Sequence, residues 1–195
     1  MGILDIAWNS NGRRIWRAAT VGLVIACATS AAPGVPEQQV DEYRVKAAFL
    51  YNFAKFVEWP AGAFQKPKEP ISICVLGQNP FGRSLEDTLA GREIEGRTLA
   101  VRNVSNIKQV TGCHVLFVGS AGSAKLLPML RDMNTPGVLT VGESDTSIAE
   151  GAVINFTMEG AKVHFEISLD AAEREQLRIS SRLLSLAHVV GAQKR

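Results

Sequence analysis

The sequence carries almost no net charge. Its 195 residues include 21 basic and 19 acidic side chains, for a formal charge of +2 at pH 7. The chain also has no long acidic or basic run, no internal repeat and no low-complexity tract. Domains that bind nucleic acids usually show a basic patch or stripe, so this composition argues against a nucleic-acid partner. A hydrophobic content of 46% predicts one ordinary globular domain.

Motifs for nucleotide chemistry and for nucleophilic catalysis are missing too. No Gly-rich loop leads into Lys-Ser or Lys-Thr, and there is no dinucleotide-binding fingerprint. Ser120 and Ser123 lack the spacing of a nucleophile elbow, and helix capping explains them better. Cys113 and His114 are neighbours on a predicted strand, so their side chains would point to opposite faces. The sequence therefore predicts that the protein is not an enzyme.

His164 and Glu166 are the pair that best supports an enzymatic alternative. They lie two residues apart on a predicted strand and therefore share one face. A tetrahedral zinc site needs more ligands than two, and the sequence offers no evident third. A cross-strand polar contact is the plainer interpretation, so we predict neither a metal nor a cofactor.

The N-terminal segment differs in composition from the rest. A cluster of arginines precedes an apolar run from Ala18 to Ala28, too short to span a bilayer but typical of a secretory signal. Small residues follow, and cleavage after Ala28 or Ala31 would suit them. We predict a signal peptide over residues 1–31, a linker over 32–39 and one domain over 40–195.

Two features leave the export route open. Val24 to Cys27 resembles a bacterial lipoprotein box, which would leave Cys27 lipidated and the protein tethered to a membrane. The pair Arg13-Arg14 suggests the twin-arginine pathway, although the residues around it match that signal poorly. Plain secretion is the interpretation we prefer.

Residues 40–60 contain the most apolar helical pattern in the chain. Two apolar rows run along it at three- and four-residue steps: Val40, Tyr43, Ala47, Leu50, Ala54 and Val57 in one, and Val45, Phe49, Phe53 and Phe56 in the other. Because the rows leave little polar surface, we expect this helix to be packed over most of its girth. Pro60 should end it.

Short apolar runs alternate with helical patterns over the remaining chain. The predicted strands cover residues 71–76, 98–102, 113–118, 138–141, 152–157 and 161–167. The predicted helices are one capped by Asn79, a short one at 105–110, one at 121–133, a brief one at 144–150, and two capped by Asp170 and Ser180, the last of which holds Leu183, Leu184, Leu186, Ala187 and Val190. Glu159-Gly160 is a hairpin signal. The pattern predicts a three-layer α/β/α domain with a mostly parallel sheet, a long N-terminal helix and one C-terminal antiparallel hairpin.

Parallel sheets usually place their functional groups at the carboxyl ends of their strands. Two of these ends read Gly77-Gln-Asn79 and Gly119-Ser-Ala121. Neither supplies the carboxylates of a magnesium-dependent phosphoacceptor site. A receiver-like switch is therefore disfavoured.

The cysteines are few and informative. Removal of the signal would leave Cys74 and Cys113, an even pair in an oxidising compartment. A bridge between them requires their two predicted strands to be staggered. Two buried free thiols remain the alternative.

Six stretches of the chain resemble the YfiR family of bacterial periplasmic proteins. They are Val45–Pro60, Cys74–Gly77, Cys113–Gly119, Val153–Phe156, Val163–Ile167 and Ile179–Ala187. The resemblance covers essentially the whole chain after the predicted signal, and its first and last motifs are specific. Ser168 stands where the family pattern leads us to expect Asn.

The resemblance implies a function that the residues alone do not. It implies a periplasmic repressor that binds the sensing domain of an inner-membrane diguanylate cyclase, lowers cyclic di-GMP and restrains biofilm formation. An outer-membrane lipoprotein would draw the repressor away. The resemblance also implies a homodimer and a disulfide between Cys74 and Cys113.

Five residues are candidates for binding. Asn52, Lys55, Glu166 and Arg182 would supply converging polar groups if the protein were instead a periplasmic small-ligand-binding or sensor protein. Trp59 follows the long helix just before the chain turns at Pro60, so it is a candidate partner contact. The plainer alternative is that Trp59 closes the end of the helix.

Overall fold

A central sheet organises the computed structural model, which describes residues 37–133 and 136–191. In chain order the strands are β1 (Val57–Glu58), β2 (Ile71–Leu76), β3 (Glu93–Ile94), β4 (Arg97–Val104), β5 (Val115–Val118), β6 (Leu139–Gly142), β7 (Ile154–Glu159), β8 (Lys162–Ser168), β9 (Arg178–Ile179) and β10 (His188–Val190). The α-helices are α1 (Glu37–Phe56), α2 (Ser84–Leu89), α3 (Ser120–Met133), α4 (Ser147–Glu150), α5 (Leu169–Arg174) and α6 (Ser181–Leu184), and a 3₁₀ helix spans Ile107–Gln109. The predicted signal peptide and Cys27 lie outside the described residues.

The strand order confirms the predicted fold class. Eight strands pair in the order β10-β8-β7-β6-β5-β2-β4-β3, while β1 and β9 form a separate two-stranded sheet. Within the large sheet, the pairs β7–β8 and β3–β4 are antiparallel and the other pairs are parallel. The pair β7–β8 is the predicted C-terminal hairpin.

Apolar clusters cover both faces of the sheet, as a three-layer arrangement requires. One cluster joins the sheet to buried residues of α1, α2, α5 and α6. The other joins it to Leu127 and Leu130 of α3 and contains both cysteines. Side chains alternate across a strand, so neighbours such as Val75 and Leu76 enter different clusters.

Helix α1 is buried along one side. Leu50, Phe53 and Ala54 are fully buried, while Arg44 and Val45 are exposed. The expectation that the helix is covered over most of its girth is therefore wrong for its N-terminal half. The reason is that no element of the described chain packs over that side.

The ends of α1 also differ from the prediction. The helix begins at Glu37, three residues before residue 40, so the last residues of the predicted linker are helical. It ends at Phe56, before Pro60, because Val57 and Glu58 pair with β9. A tertiary strand pairing thus ends this helix earlier than the proline would.

Capping groups account for other differences. Asn79 does not cap a helix: its Oδ1 accepts from the amide of Phe81, and α2 starts only at Ser84. Ser168, rather than Asp170, caps α5. Ser180 caps α6 as predicted.

The C-terminal helix expected beyond Leu184 is instead a turn followed by β10. Residues 188–190 pair in parallel with β8, and two of the three are valines, which favour strands. The short strand β3 was also not predicted, because two residues are too few to show a period.

A disulfide joins Cys74 to Cys113, with 5.8 Å between their Cα atoms. Cys113 does not belong to a strand: its amide donates to the carbonyl of Val110 in the turn before β5. The bridge therefore needs no shift in register between β2 and β5. In the observed register Cys74 lies opposite Leu116. The alternative of two free thiols is not what the structure contains.

Candidate functional site

The β7–β8 hairpin extends beyond its neighbours in the sheet. The two strands pair with each other from Ile154 to Glu159. On one side β6 pairs only with Ile154 and Asn155, and on the other β10 pairs only with residues 166–168. Residues 156–159 and 162–165 therefore form a two-stranded projection, which we call the hairpin arm.

An apolar groove separates the hairpin arm from α1. Its volume is about 730 Å³, and it is lined by Asp41, Glu42, Val45, Phe49, Met158, Ala161, Lys162, Val163 and His164. Val45 and Met158 on its walls are 44% and 42% exposed. Exposed apolar residues that adjoin one another in a groove commonly mark a binding surface.

Aromatic packing holds the floor of this groove in place. The ring of Phe49 lies 5.3 Å from that of Phe165 and 6.1 Å from that of Phe156. Phe53, one turn further along α1, contacts the same two rings at 5.0 and 5.5 Å. This cluster, which we expect to be rigid, fixes the arm against α1.

A buried ion pair lies beside the arm. The ammonium of Lys46 is 2.7 Å from Glu143, and their side chains are only 4% and 8% exposed. Lys46 also pairs with Glu42, one turn earlier on α1. The hydroxyl of Tyr43 donates to the Glu143 carboxylate, 3.2 Å from each oxygen. Burial of the phenol and the nearby Glu143 charge raise the pKa of Tyr43.

The sheet explains why Glu143 is there. β5 and β6 are neighbouring parallel strands, with Phe117 opposite Val141, so the loops that follow them start side by side. The amide of Ser120 after β5 donates to Glu143 after β6 at 3.3 Å. A Cβ at Gly119 would lie 3.4 Å from the carboxylate, so the glycine leaves room for it.

A second cleft, of about 320 Å³, borders the ion pair. It is lined by Glu42, Tyr43, Lys46, Ser120, Glu143, Asp145, Phe156, Thr157 and Met158. Three carboxylates face one ammonium there, so the cleft is acidic. It shares Glu42 and Met158 with the apolar groove, and the two form one continuous surface around the arm.

This cluster was missed in the sequence, although signals for it exist. Lys46 precedes the buried residues Leu50, Phe53 and Val57 at helical spacing, which places a lysine on the buried stripe of α1. Glu143 follows Gly142 at the carboxyl end of β6, where parallel sheets commonly place functional groups. The carboxylate absent after β2 and β5 is present after β6, and it is bound by Lys46 and Tyr43 rather than left open for a metal.

The four candidate ligand-binding residues do not converge. Lys55 and Arg182 lie near the same ring, 5.7 and 5.4 Å from the centre of Phe56. Glu166 lies between Phe165 and Ile167, which both belong to the cluster on the α1 side, so its side chain points to the other face of the sheet. Asn52 is on α1, and the sheet therefore separates it from Glu166.

Trp59 packs into the protein. Its ring stands edge-on to Phe64 at 6.1 Å and to His114 at 6.2 Å. Its indole nitrogen is buried without a partner among the described residues. These contacts favour the interpretation that Trp59 closes the end of the helix.

His114 fastens the loop between α1 and β2. Its Nδ1 accepts from the amide of Ser72 at 3.1 Å, and its Nε2 lies 3.2 Å from the carbonyl of Ala63, to which it donates. The ring stacks on Phe64 at 4.3 Å. Only the neutral imidazole can accept at one nitrogen and donate at the other. Burial lowers the pKa of His114, in agreement with that form.

His164 and Glu166 do not form a site together. His164 lies 3.6 Å from Glu159, a cross-strand contact of the predicted kind, while Glu166 pairs in register with Asn155 and His188. Over residues 37–133 and 136–191, no group of three or more potential ligands comes together to hold a metal ion. In the same ranges, none of the helices has the length and apolarity needed to cross a bilayer.

Comparison with known proteins identifies a family whose model matches most of the chain. A family model described as YfiR/HmsC-like matches residues 43–188, from Tyr43 of the buried cluster to the start of β10. Among solved structures, the chain is similar to a conserved domain protein from Vibrio cholerae O1 biovar eltor str. N16961, with 13% sequence identity and a TM-score of 0.48. The similarity covers 76% of this chain and 60% of that one, so the chain spans less than two thirds of that protein.

Proposed function

Because the chain belongs to the YfiR/HmsC-like family, we propose that it is a periplasmic regulatory protein that acts by binding a membrane signalling protein. The family is regulatory and is not a known enzyme family. The observation that carries the proposal is the family match over residues 43–188, which includes the arm, most of the groove and most of α1. An apolar groove with exposed walls suits a protein that works by association.

The partner we propose is the sensing domain of an inner-membrane diguanylate cyclase. A protein without its own activity can shift a partner only by binding one of its states better than the other. Binding to the inactive state would lower cyclic di-GMP and restrain biofilm formation. An outer-membrane lipoprotein that competes for the protein would reverse the effect. We further propose that the protein works as a homodimer after removal of its signal peptide.

Gene deletion tests this function directly. In a strain that expresses the cyclase, deletion should raise cyclic di-GMP, and wild-type protein supplied from a plasmid should restore the original level. Purified protein should also bind the isolated sensing domain. Unchanged cyclic di-GMP in the deletion strain would reject the regulatory role.

A further inference from the structure

Among the residues that the structure describes, no strand lies beside the outer edge of β7 in the hairpin arm. β6 ends at Gly142, opposite Asn155. The chain then leaves the sheet, because the amide of Ser144 donates to the hydroxyl of Ser147 at the start of α4. Residues 156–159 therefore pair on their β8 side only, within the described part of the chain.

That edge has little of the usual protection against strand pairing, since Glu159 is its one charged residue. Natural edge strands are commonly protected by lysine, proline or a bulge. β7 offers Phe156, Thr157, Met158 and Glu159, and its pairing with β8 runs without a bulge. The facing strand β8 does carry Lys162. The two edges of the arm thus differ, and β7 is the one open to an added strand.

The acidic cleft lies directly along this open edge. Residues 156–158 form one wall of it, and α1, the loop after β6 and Ser120 at the start of α3 form the rest. Asp145 in this wall is exposed and makes no ion pair with the described residues. Glu143 and Glu42 share the charge of Lys46, which leaves negative charge for a ligand to balance.

Side chains on β7 point alternately to the two faces of the sheet, and those of an added strand would follow the same alternation. Phe156 lies in the cluster on the α1 side, and Met158, two residues on, shares that face. Every second side chain of a strand laid beside β7 would therefore point to α1 and enter the acidic cleft. Lysine or arginine at those positions would meet Asp145 and Glu143.

We propose that the outer edge of β7 in the hairpin arm binds an extended, basic segment of the partner protein as an added β-strand. Backbone hydrogen bonds to residues 156–159 would supply affinity, and basic side chains in the cleft would supply specificity. The inference rests on the proposed function only in taking the ligand to be part of a protein.

A short peptide tests the site without knowledge of the partner. The probe is acetyl-Lys-Val-Lys-Val-Lys-amide, titrated into the full-length protein and followed by amide NMR and hydrogen exchange. We expect shifted signals and slower exchange at residues 156–159. The same peptide with alternate amides N-methylated should bind roughly tenfold more weakly, because it loses backbone hydrogen bonds. A peptide with Glu in place of Lys should not bind.

A charge reversal at the cleft provides the matched test in the protein. Asp145→Lys should weaken binding of the lysine peptide by roughly fivefold, because an exposed charge that attracts the peptide is replaced by one that repels it. Glu173→Lys makes the same change on α5, at another exposed position, and should leave binding unchanged. Both variants should keep the wild-type amide spectrum elsewhere.

Three results would overturn the proposal. They are no perturbation at residues 156–159, equal binding of the N-methylated peptide, and a dimer joined through β7 that the peptide does not displace. The two hypotheses fail separately. Cyclic di-GMP unchanged by deletion, with intact peptide binding at β7, rejects the regulatory role and supports the strand site. Raised cyclic di-GMP that Asp145→Lys still fully represses retains the regulatory role and overturns the strand site.

Discussion

The amino and carboxyl edges of the parallel sheet are covered differently. At the amino edge, the loop after α1 covers the starts of β2 and β5, and His114 holds it there. At the carboxyl edge, the buried pair of Lys46 and Glu143 lies below an open cleft. One edge is closed by a loop whose contacts are internal, and the other presents acidic and apolar surface.

The difference shows how one long helix serves both edges. The C-terminal end of α1 leads towards the closed loop, while its N-terminal half carries Tyr43, Lys46 and the groove residue Val45. Parallel sheets generally bind ligands at their carboxyl edge. In this protein the contacts of the amino edge are internal, and the carboxyl edge is the one at which we propose binding.

Removal of the disulfide should have the largest effect on stability. Cys113 adjoins His114 at the closed edge, and the bridge spans a sequence separation of 39 residues. Replacing Cys74 and Cys113 with alanine should lower the free energy of unfolding by about 4 kcal/mol on the loop-closure model. Urea unfolding measures it, and wild-type protein under reducing conditions should approach the variant. Equal midpoints for oxidised and reduced protein would contradict the prediction.

Loss of the buried ammonium should come next. Lys46→Ala leaves the Glu143 carboxylate buried and unpaired, which should cost about 3 kcal/mol in the free energy of unfolding. Lys55→Ala removes an exposed lysine from the same helix and should change stability by less than about 0.5 kcal/mol. Denaturant unfolding of the two variants gives the comparison. Similar losses of unfolding free energy in the two variants would show that the Lys46–Glu143 pair does not stabilise the fold more than an exposed lysine does.

Acid should loosen the closed edge by a smaller amount. Burial first, and then Arg97, lowers the pKa of His114, against the carbonyl of Ala63 and the charge of Glu69, which raise it. A histidine pKa that is lower in the folded protein gives stability that is complete above the unfolded value, about 6.5. That stability is lost as the pH falls through the folded value. Protonation would place an N–H at Nδ1 of His114, where it would face the Ser72 amide that donates to Nδ1 in the neutral form.

The matched variant for this test is His114→Asn, which keeps an acceptor but does not titrate. The stability advantage of the wild type over this variant should shrink as the pH falls from about 7 to about 5. Glu175, whose pKa burial raises, contributes with the opposite sign but is common to both proteins. Parallel stability curves for the two proteins would rule out His114 as the group responsible.

Substitutions in the walls of the apolar groove should have the smallest effect on stability and the largest effect on partner binding. Val45→Ser combined with Met158→Ser alters side chains already 44% and 42% exposed, so the free energy of unfolding should change by less than about 1 kcal/mol. Binding to the cyclase sensing domain should nevertheless weaken, because apolar contact area is lost. Met133→Ser is the control, since Met133 is 45% exposed on α3. Equal binding by all three proteins would show that the groove is not used.

Local patterns predicted most of the fold and little of the candidate site. The apolar runs of β2 and β5, the hairpin and the Ser180 cap are each specified by neighbouring residues. The end of α1 is not, because it depends on pairing with β9, far along the chain. The same holds for β10, where pairing with β8 outweighs the helical pattern of the preceding leucines. The binding candidates Asn52 and Glu166 were separated by the sheet, which a list of polar residues does not show.

By itself, the sequence determined the alternation of strands and helices, the apolar stripe of α1, the cysteine pair and the family motifs. These follow from the period of apolar side chains and from residue types that act on their immediate neighbours. Only the tertiary structure decided that Lys46 meets Glu143 and that His114 closes the loop. It also decided that the end of β7 pairs with β8 alone among the described strands and lies beside an acidic cleft. Each depends on residues far apart in the chain, which strand order and register alone bring together.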